Sequence, residues 1–64
     1  MNWGLSKSDK IKRFTAEEDA TQVRATIPVD GFDYVVRQEM EQGGPVWIVL
    51  RYHNGSIVAM LEND

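Results

Sequence analysis

The last third of the chain alternates between apolar and polar positions around an Asn-Gly pair. Asn54-Gly55 lies between two apolar segments, and Asn-Gly is typical of a type I′ hairpin turn because both central residues need a positive φ. The pattern predicts strands over 46–53 and 56–62. Their register places Tyr52 opposite Ile57 and Leu50 opposite Ala59.

A second pair, Asp30-Gly31, has the same character. It predicts another type I′ hairpin, with strands over 22–29 and 32–40 and their apolar residues on one face. Pro28 lies in the first of these strands. Because proline has no N–H for a central ladder, that strand is expected at an edge of the sheet.

The glycines and proline of 41–45 predict the loop that joins the two hairpins. If Met40 lies opposite Val46, strands 32–40 and 46–53 are also antiparallel neighbours. The expected fold class is therefore α+β and mainly β, with a four-stranded antiparallel meander over 22–62.

One face of this meander is apolar and needs a cover, for which the N-terminal segment is the best candidate. Ser8 can cap a short helix, and Ile11 and Phe14 are spaced to share one helical face. Trp3 and Leu5 can add to the cover. We expect this short helix, within residues 1–14, to pack on the sheet.

Residues 15–22 fit two descriptions. The capping-box pattern at 15–18 and the helical spacing of Ala16, Ala20 and Val23 favour a helix. The alternation of apolar residues after residue 22 favours a strand, which we prefer because the hairpin register explains more positions. In a rival arrangement 10–15 is a fifth strand of a small SH3-like or OB-like barrel.

Length and composition restrict the function further. The chain has 64 residues, no cysteine and one histidine, so we expect a single domain over 1–64 with neither disulfides nor a thiolate or histidine-rich metal site. No apolar run approaches the roughly 20 residues of a membrane span, and the start lacks the apolar stretch of a signal peptide. We expect a cytoplasmic protein without membrane contact.

Catalytic chemistry is not indicated by any motif. His53 lies beside a turn with Ser56 across from it, but no nucleophile motif surrounds them. Glu39 and Glu41 fall at a strand end that we expect to be open, and the glycines at 43–44 lack the Lys-Ser/Thr ending of a phosphate loop. We expect a non-enzyme that uses no cofactor.

Charge is distributed unevenly along the chain, whose net charge is −3. Residues 1–14 are basic and the remainder is acidic, including the short run Glu17–Asp19. A basic segment on an acidic body suggests a charged partner. The candidate nucleic-acid contacts are Lys7, Lys10, Lys12 and Arg13.

The second face of the predicted meander carries side chains that folding does not obviously require. Its register sets Arg24 opposite Arg37, although like charges across a ladder are mildly destabilising. Arginine, tryptophan and methionine are enriched at protein interfaces. The candidate partner-binding residues are Arg24, Arg37, Trp47, Arg51 and Met60.

These features favour a small protein-binding module that regulates or adapts a larger partner, with a viral or mobile-element regulator as one expectation. Nucleic-acid binding through the arginine face and the basic segment is the first alternative. The acidic body disfavours it, because phosphate contacts dominate such affinity. A structural homodimer, formed through sheet faces or an edge strand, is the second alternative.

Overall fold

The structure is a computed structural model that describes residues 2–5 and 8–63, and it is mostly β with one α-helix. Four antiparallel strands form an open sheet in the order β1-β4-β3-β2. This confirms the expected mainly β fold with a four-stranded antiparallel sheet. No helix in the described ranges is long and apolar enough to cross a membrane. The elements are β1 (Asn2–Gly4), α1 (Glu17–Thr26), β2 (Asp33–Glu41), β3 (Gly44–His53) and β4 (Ser56–Glu62).

The prediction of a strand over 22–29 is wrong, because α1 occupies most of that segment. Ala20 is fully buried, and Val23 and Ile27 pack beside it at helical spacing. The acidic side chains of 17–19 lie in the first turn of α1, where the helix dipole favours negative charge. Burial of this helical face outweighs the strand-like alternation that follows residue 22.

The hairpin predicted at Asp30-Gly31 is also absent, since that pair joins a helix to a strand. Pro28 follows the C-cap residue Ile27, a position where proline stops a helix. An Asp30 carboxylate oxygen accepts the Phe32 N–H at 3.2 Å, and Gly31 has a φ of +90°. The Asp-Gly signal therefore marks a turn, and Pro28 marks a helix end instead of an edge strand.

The N-terminal segment contributes a strand instead of the expected helix. β1 pairs with β4, with Trp3 opposite Leu61, while 8–10 form a single 3₁₀ turn. Residues 11–14 then run beside the sheet: the Lys12 N–H donates to the Leu61 carbonyl at 2.9 Å, and Phe14 exchanges two 2.9 Å bonds with Trp47. These are isolated bridges on an open sheet, so the barrel with a fifth strand at 10–15 is not formed.

The turn between β2 and β3 is tighter than predicted. Glu41 pairs with Gly44, so only two residues form the loop, and Met40 lies opposite Pro45 instead of Val46. A slip of one residue moves every side chain of a strand to the other face relative to its neighbour.

The turn between β3 and β4 matches the prediction only near its tip. Asn54 and Gly55 both have positive φ, and Tyr52 lies opposite Ile57 as predicted. Beyond them a β-bulge shifts the register, so that Leu50 faces Met60 instead of Ala59. Val58 is the additional residue. The register shifts by one residue at both hairpins of β3. The side chains of β3 therefore lie on the opposite faces of the sheet from those predicted.

The main core lies between α1 and one face of the sheet. Its fully buried members are Ala20, Val49 and Leu61, and the half-buried side chains packed on it are Trp3, Phe14, Val23, Ile27, Val36 and Trp47. Alternation places Ile48 and Leu50 on the opposite face, where both are nonetheless buried. α1, with Phe14 and Trp3, therefore provides the cover, whereas the predicted contributor Leu5 is 66% exposed.

Candidate protein-binding surface

The outer edge of β2 presents backbone groups that the sheet leaves unpaired. Gln38 lies opposite Trp47 in the ladder, yet both backbone groups of Trp47 bond to Phe14. Gln38 and Trp47 are therefore a non-hydrogen-bonded pair, and the N–H and C=O of Gln38 point away from β3. By strand alternation the backbone groups of Val36 and Met40 point the same way.

A side-chain contact supports this orientation of the backbone groups and shows where the unpaired stretch of β2 begins. Tyr34 belongs to the same alternating set, and its carbonyl accepts a 2.8 Å hydrogen bond from the Arg24 Nε. Arg24 thus covers the edge at the start of β2. Among the described residues, no hydrogen bond joins the outward groups of Val36, Gln38 and Met40 to another element. We call this stretch, 36–40, the free edge.

A shallow groove adjoins the free edge on the sheet face away from α1. Its volume is about 260 Å³. Ile11, Ile48 and Met60 supply the apolar part, and the β2 residues Arg37 and Glu39 lie beside them. Met40 borders the groove, and strand alternation places its side chain on the α1 face with that of Val36. Met40 is 74% exposed, so a large apolar residue stands uncovered at the edge.

The charged residues of the groove are paired with one another. An Arg37 guanidinium nitrogen lies 2.8 Å from a Glu39 carboxylate oxygen, and the Arg13 Nε lies 2.7 Å from a Glu41 carboxylate oxygen. All four side chains are partly exposed, so these pairs contribute little to stability.

A second polar cluster surrounds Arg51 on the α1 side of the sheet. Its guanidinium carbon lies 4.5 Å from the Trp3 ring centroid, 4.9 Å from Phe32 and 5.5 Å from Tyr34. The Arg51 Nε donates to the Tyr34 hydroxyl at 3.1 Å, and that hydroxyl donates to an Asp30 carboxylate oxygen at 2.6 Å. The Arg51 guanidinium already occupies the space among the three rings. We therefore interpret the cluster as part of the packing of the fold.

The Tyr34–Asp30 hydrogen bond shifts both groups away from their ordinary acidity. The bond to the Tyr34 hydroxyl lowers the pKa of the Asp30 carboxyl, with a smaller contribution from Arg51. Burial and the same bond raise the pKa of the Tyr34 phenol. The pair is therefore strongest with Asp30 ionised and Tyr34 neutral.

The five predicted partner-binding residues do not share one surface. Arg37 and Met60 line the groove together. Trp47 packs on the core of the α1 side, and Arg51 lies within its aromatic cluster on the same side. Arg24 is on α1, and Arg37 faces Ile48, so the predicted opposition of Arg24 and Arg37 is wrong.

Two of the predicted nucleic-acid contacts interact with other side chains of the chain. Lys7 lies outside the described residues. The Lys12 ammonium lies 5.4 Å from the Phe14 ring centroid, and Arg13 is paired with Glu41. Lys10 is exposed at the end of the 3₁₀ turn.

The candidate catalytic positions His53 and Ser56 lie at the turn between β3 and β4. His53 packs edge-on against Phe32, with ring centroids 5.5 Å apart, and Ser56 pairs with it across the turn. Within 2–5 and 8–63, no group of three histidine or carboxylate side chains could hold a metal ion.

Sequence reasoning missed the residues that define the free edge. Gln38 and Met40 carry no motif, and their significance depends on which strand lies at the margin of the sheet. Comparison with known proteins supplies no further guide, since no family model, curated protein or solved structure matches the chain.

Proposed function

We propose that the protein is a small, non-enzymatic protein-binding module whose partner adds an extended segment to the free edge of β2. The observation that carries this proposal is the outward orientation of the backbone groups of Val36, Gln38 and Met40 beside a groove of apolar and charged side chains. In strand addition, main-chain hydrogen bonds supply affinity and neighbouring pockets select side chains.

The dimensions of the surface support a protein segment over a small molecule. The groove beside the free edge has a volume of about 260 Å³, which is below the roughly 300–1,000 Å³ of typical small-molecule sites. The groove also lies along a strand, so an added segment would contact it at alternate residues. On this proposal the protein acts as a regulator or adaptor of what it binds.

A photo-crosslinking amino acid at Gln38 tests the proposal in extract of the native host. Gln38 is exposed at the free edge, and Gln22 is exposed on α1, which makes Gln22 the matched control position. We expect a discrete protein adduct from position 38 and none from position 22. Equal adducts from both positions would contradict the proposal.

The role of the backbone is tested by adding a substitution at Met40 to the position-38 probe. Met40→Pro removes an outward N–H without touching the internal ladder, which is where proline is tolerated in sheets. Met40→Thr removes the side chain and keeps the N–H. We expect the adduct to disappear with proline and persist with threonine, at unchanged thermal stability.

A further inference from the structure

We propose that the segment added to β2 is β2 of a second copy of this chain, antiparallel, with the two-fold axis through Gln38. The inference rests on the proposed function and names the partner at that site. It follows from the symmetry of the free edge and from the order of charges along it.

The backbone pattern permits a symmetric ladder centred on Gln38. With the axis there, Gln38 meets its counterpart in the second copy, and Val36 meets Met40 on both sides. The outward groups of all three residues are then hydrogen-bonded, because each of these pairs exchanges two N–H···O bonds. Tyr34, whose carbonyl is held by Arg24, stays outside the central ladder.

The charge pattern selects this axis over its neighbours. With the axis at Gln38, Arg37 of each copy lies opposite Glu39 of the other, in the closely spaced non-hydrogen-bonded positions. An axis at residue 37 or residue 39 would set identical charges against each other, which destabilises a ladder. An axis at Val36 would bring Asp33 against Glu39.

The same arrangement covers the most exposed apolar side chain of β2. Met40 is 74% exposed in the single chain, and the proposed ladder places it beside the half-buried Val36 of the second copy. The intrachain pair of Arg37 and Glu39, at 2.8 Å, then joins its symmetric counterpart. Two arginines and two glutamates alternate around the axis.

Single-cysteine variants test the axis, because the chain has no cysteine of its own. Cysteines at position 38 would have Cα atoms about 5.5 Å apart, within the range of a disulfide. Cysteines at position 40 would be roughly 14 Å apart. Under mild oxidation we expect Gln38→Cys to form a covalent dimer at least about ten times faster than Met40→Cys. Equal rates would overturn the register.

Charge exchange tests the pairing without a covalent bond. Sedimentation of the unmodified chain across the micromolar range should show a monomer–dimer equilibrium. Arg37→Glu should raise the dimer Kd roughly tenfold, since both cross-copy pairs become repulsive. The double variant Arg37→Glu/Glu39→Arg should restore the original Kd. A double variant as weak as Arg37→Glu would contradict the pairing.

The outcomes separate this inference from the proposed function. A chain that stays monomeric while the position-38 probe captures a different protein would refute the second copy. Loss of that adduct with Met40→Pro but not with Met40→Thr would then leave strand addition supported. A monomer with no specific adduct would refute both. An adduct of twice the chain mass, formed by the purified protein alone, would support both.

Discussion

At the scale of single residues, Arg51 explains most about how the chain holds together. Its guanidinium contacts rings from β1, from β2 and from the residue before β2. Cation–π contacts contribute about 0.5–2 kcal/mol each, depending on desolvation. Arg51 therefore stabilises the packing of the three-residue strand β1 and of the turn after α1 against the sheet. This role in folding is sufficient to explain why an arginine lies at position 51.

The hydrogen bond between Tyr34 and Asp30 should make stability depend on pH in the acidic range. Because the pKa of Asp30 is lowered in the folded state, its contribution is present above the unfolded value of about 3.9. That contribution is lost as the pH falls through the folded pKa. We expect the stability advantage of the parent chain over Asp30→Asn to shrink from pH 6 to pH 2.

Urea unfolding at a series of pH values measures this effect, with Tyr34→Phe as the matched background. The phenylalanine variant lacks the hydroxyl that lowers the Asp30 pKa, so the pH dependence of the Asp30→Asn difference should be reduced there. An advantage that stays constant down to pH 2 would contradict the assignment.

At the scale of elements, local signals predicted turns better than they predicted what the turns connect. Asn54-Gly55 forms a hairpin because β3 ends directly before it and β4 begins directly after it. Asp30-Gly31 carries an equally good turn signal, but the segment before it is helical because Ala20, Val23 and Ile27 bury one face against the sheet. The helical spacing is visible in the sequence, but its advantage over the strand pattern comes from tertiary packing.

The orientation of β3 was unpredictable for a related reason. A two-residue loop before β3 and the bulge at Val58 after it each shift the register by one. Together they place Val49 with Leu61 in the main core and leave Trp47 there instead of on a binding face. Of the predicted site, only Arg37 and Met60 are brought together, and they line one groove.

Deleting Val58 should expose the role of the bulge. Without it Tyr52 would still lie opposite Ile57 and Arg51 opposite Ala59, so Leu61 would keep its place in the core. Deleting Met60 instead would move Leu61 into the place of Met60, on the other face of the sheet. Leu61 is 2% exposed, and removing a large side chain from a core costs about 2–5 kcal/mol. We expect the Met60 deletion to abolish cooperative thermal unfolding and the Val58 deletion to retain it, both monitored by circular dichroism.

Val58→Thr is the control for both deletions. Val58 is 39% exposed, so the threonine variant keeps the bulge and should unfold within a few degrees of the parent chain. A Met60 deletion as stable as Val58→Thr, or a Val58 deletion that no longer unfolds cooperatively, would contradict this description of the bulge.

At the scale of the whole molecule, a small core and an open sheet explain why a partner would be useful. A chain of about 60 residues buries only about 60% of its unfolded surface, and here the buried side chains are divided between two faces of one sheet. An edge strand with unpaired backbone groups invites pairing with another chain. The proposed ladder would cover that edge and lengthen the sheet.

Amide hydrogen exchange along β2, measured at several protein concentrations, tests the central claim most directly. In dilute solution the amides of Val36, Gln38 and Met40 should exchange much faster than those of Val35, Arg37 and Glu39, which face β3. At high concentration the first set should become protected while the second changes little. Protection of Gln38 that is already complete in dilute monomer, or that never rises with concentration, would contradict a free edge that binds a second copy.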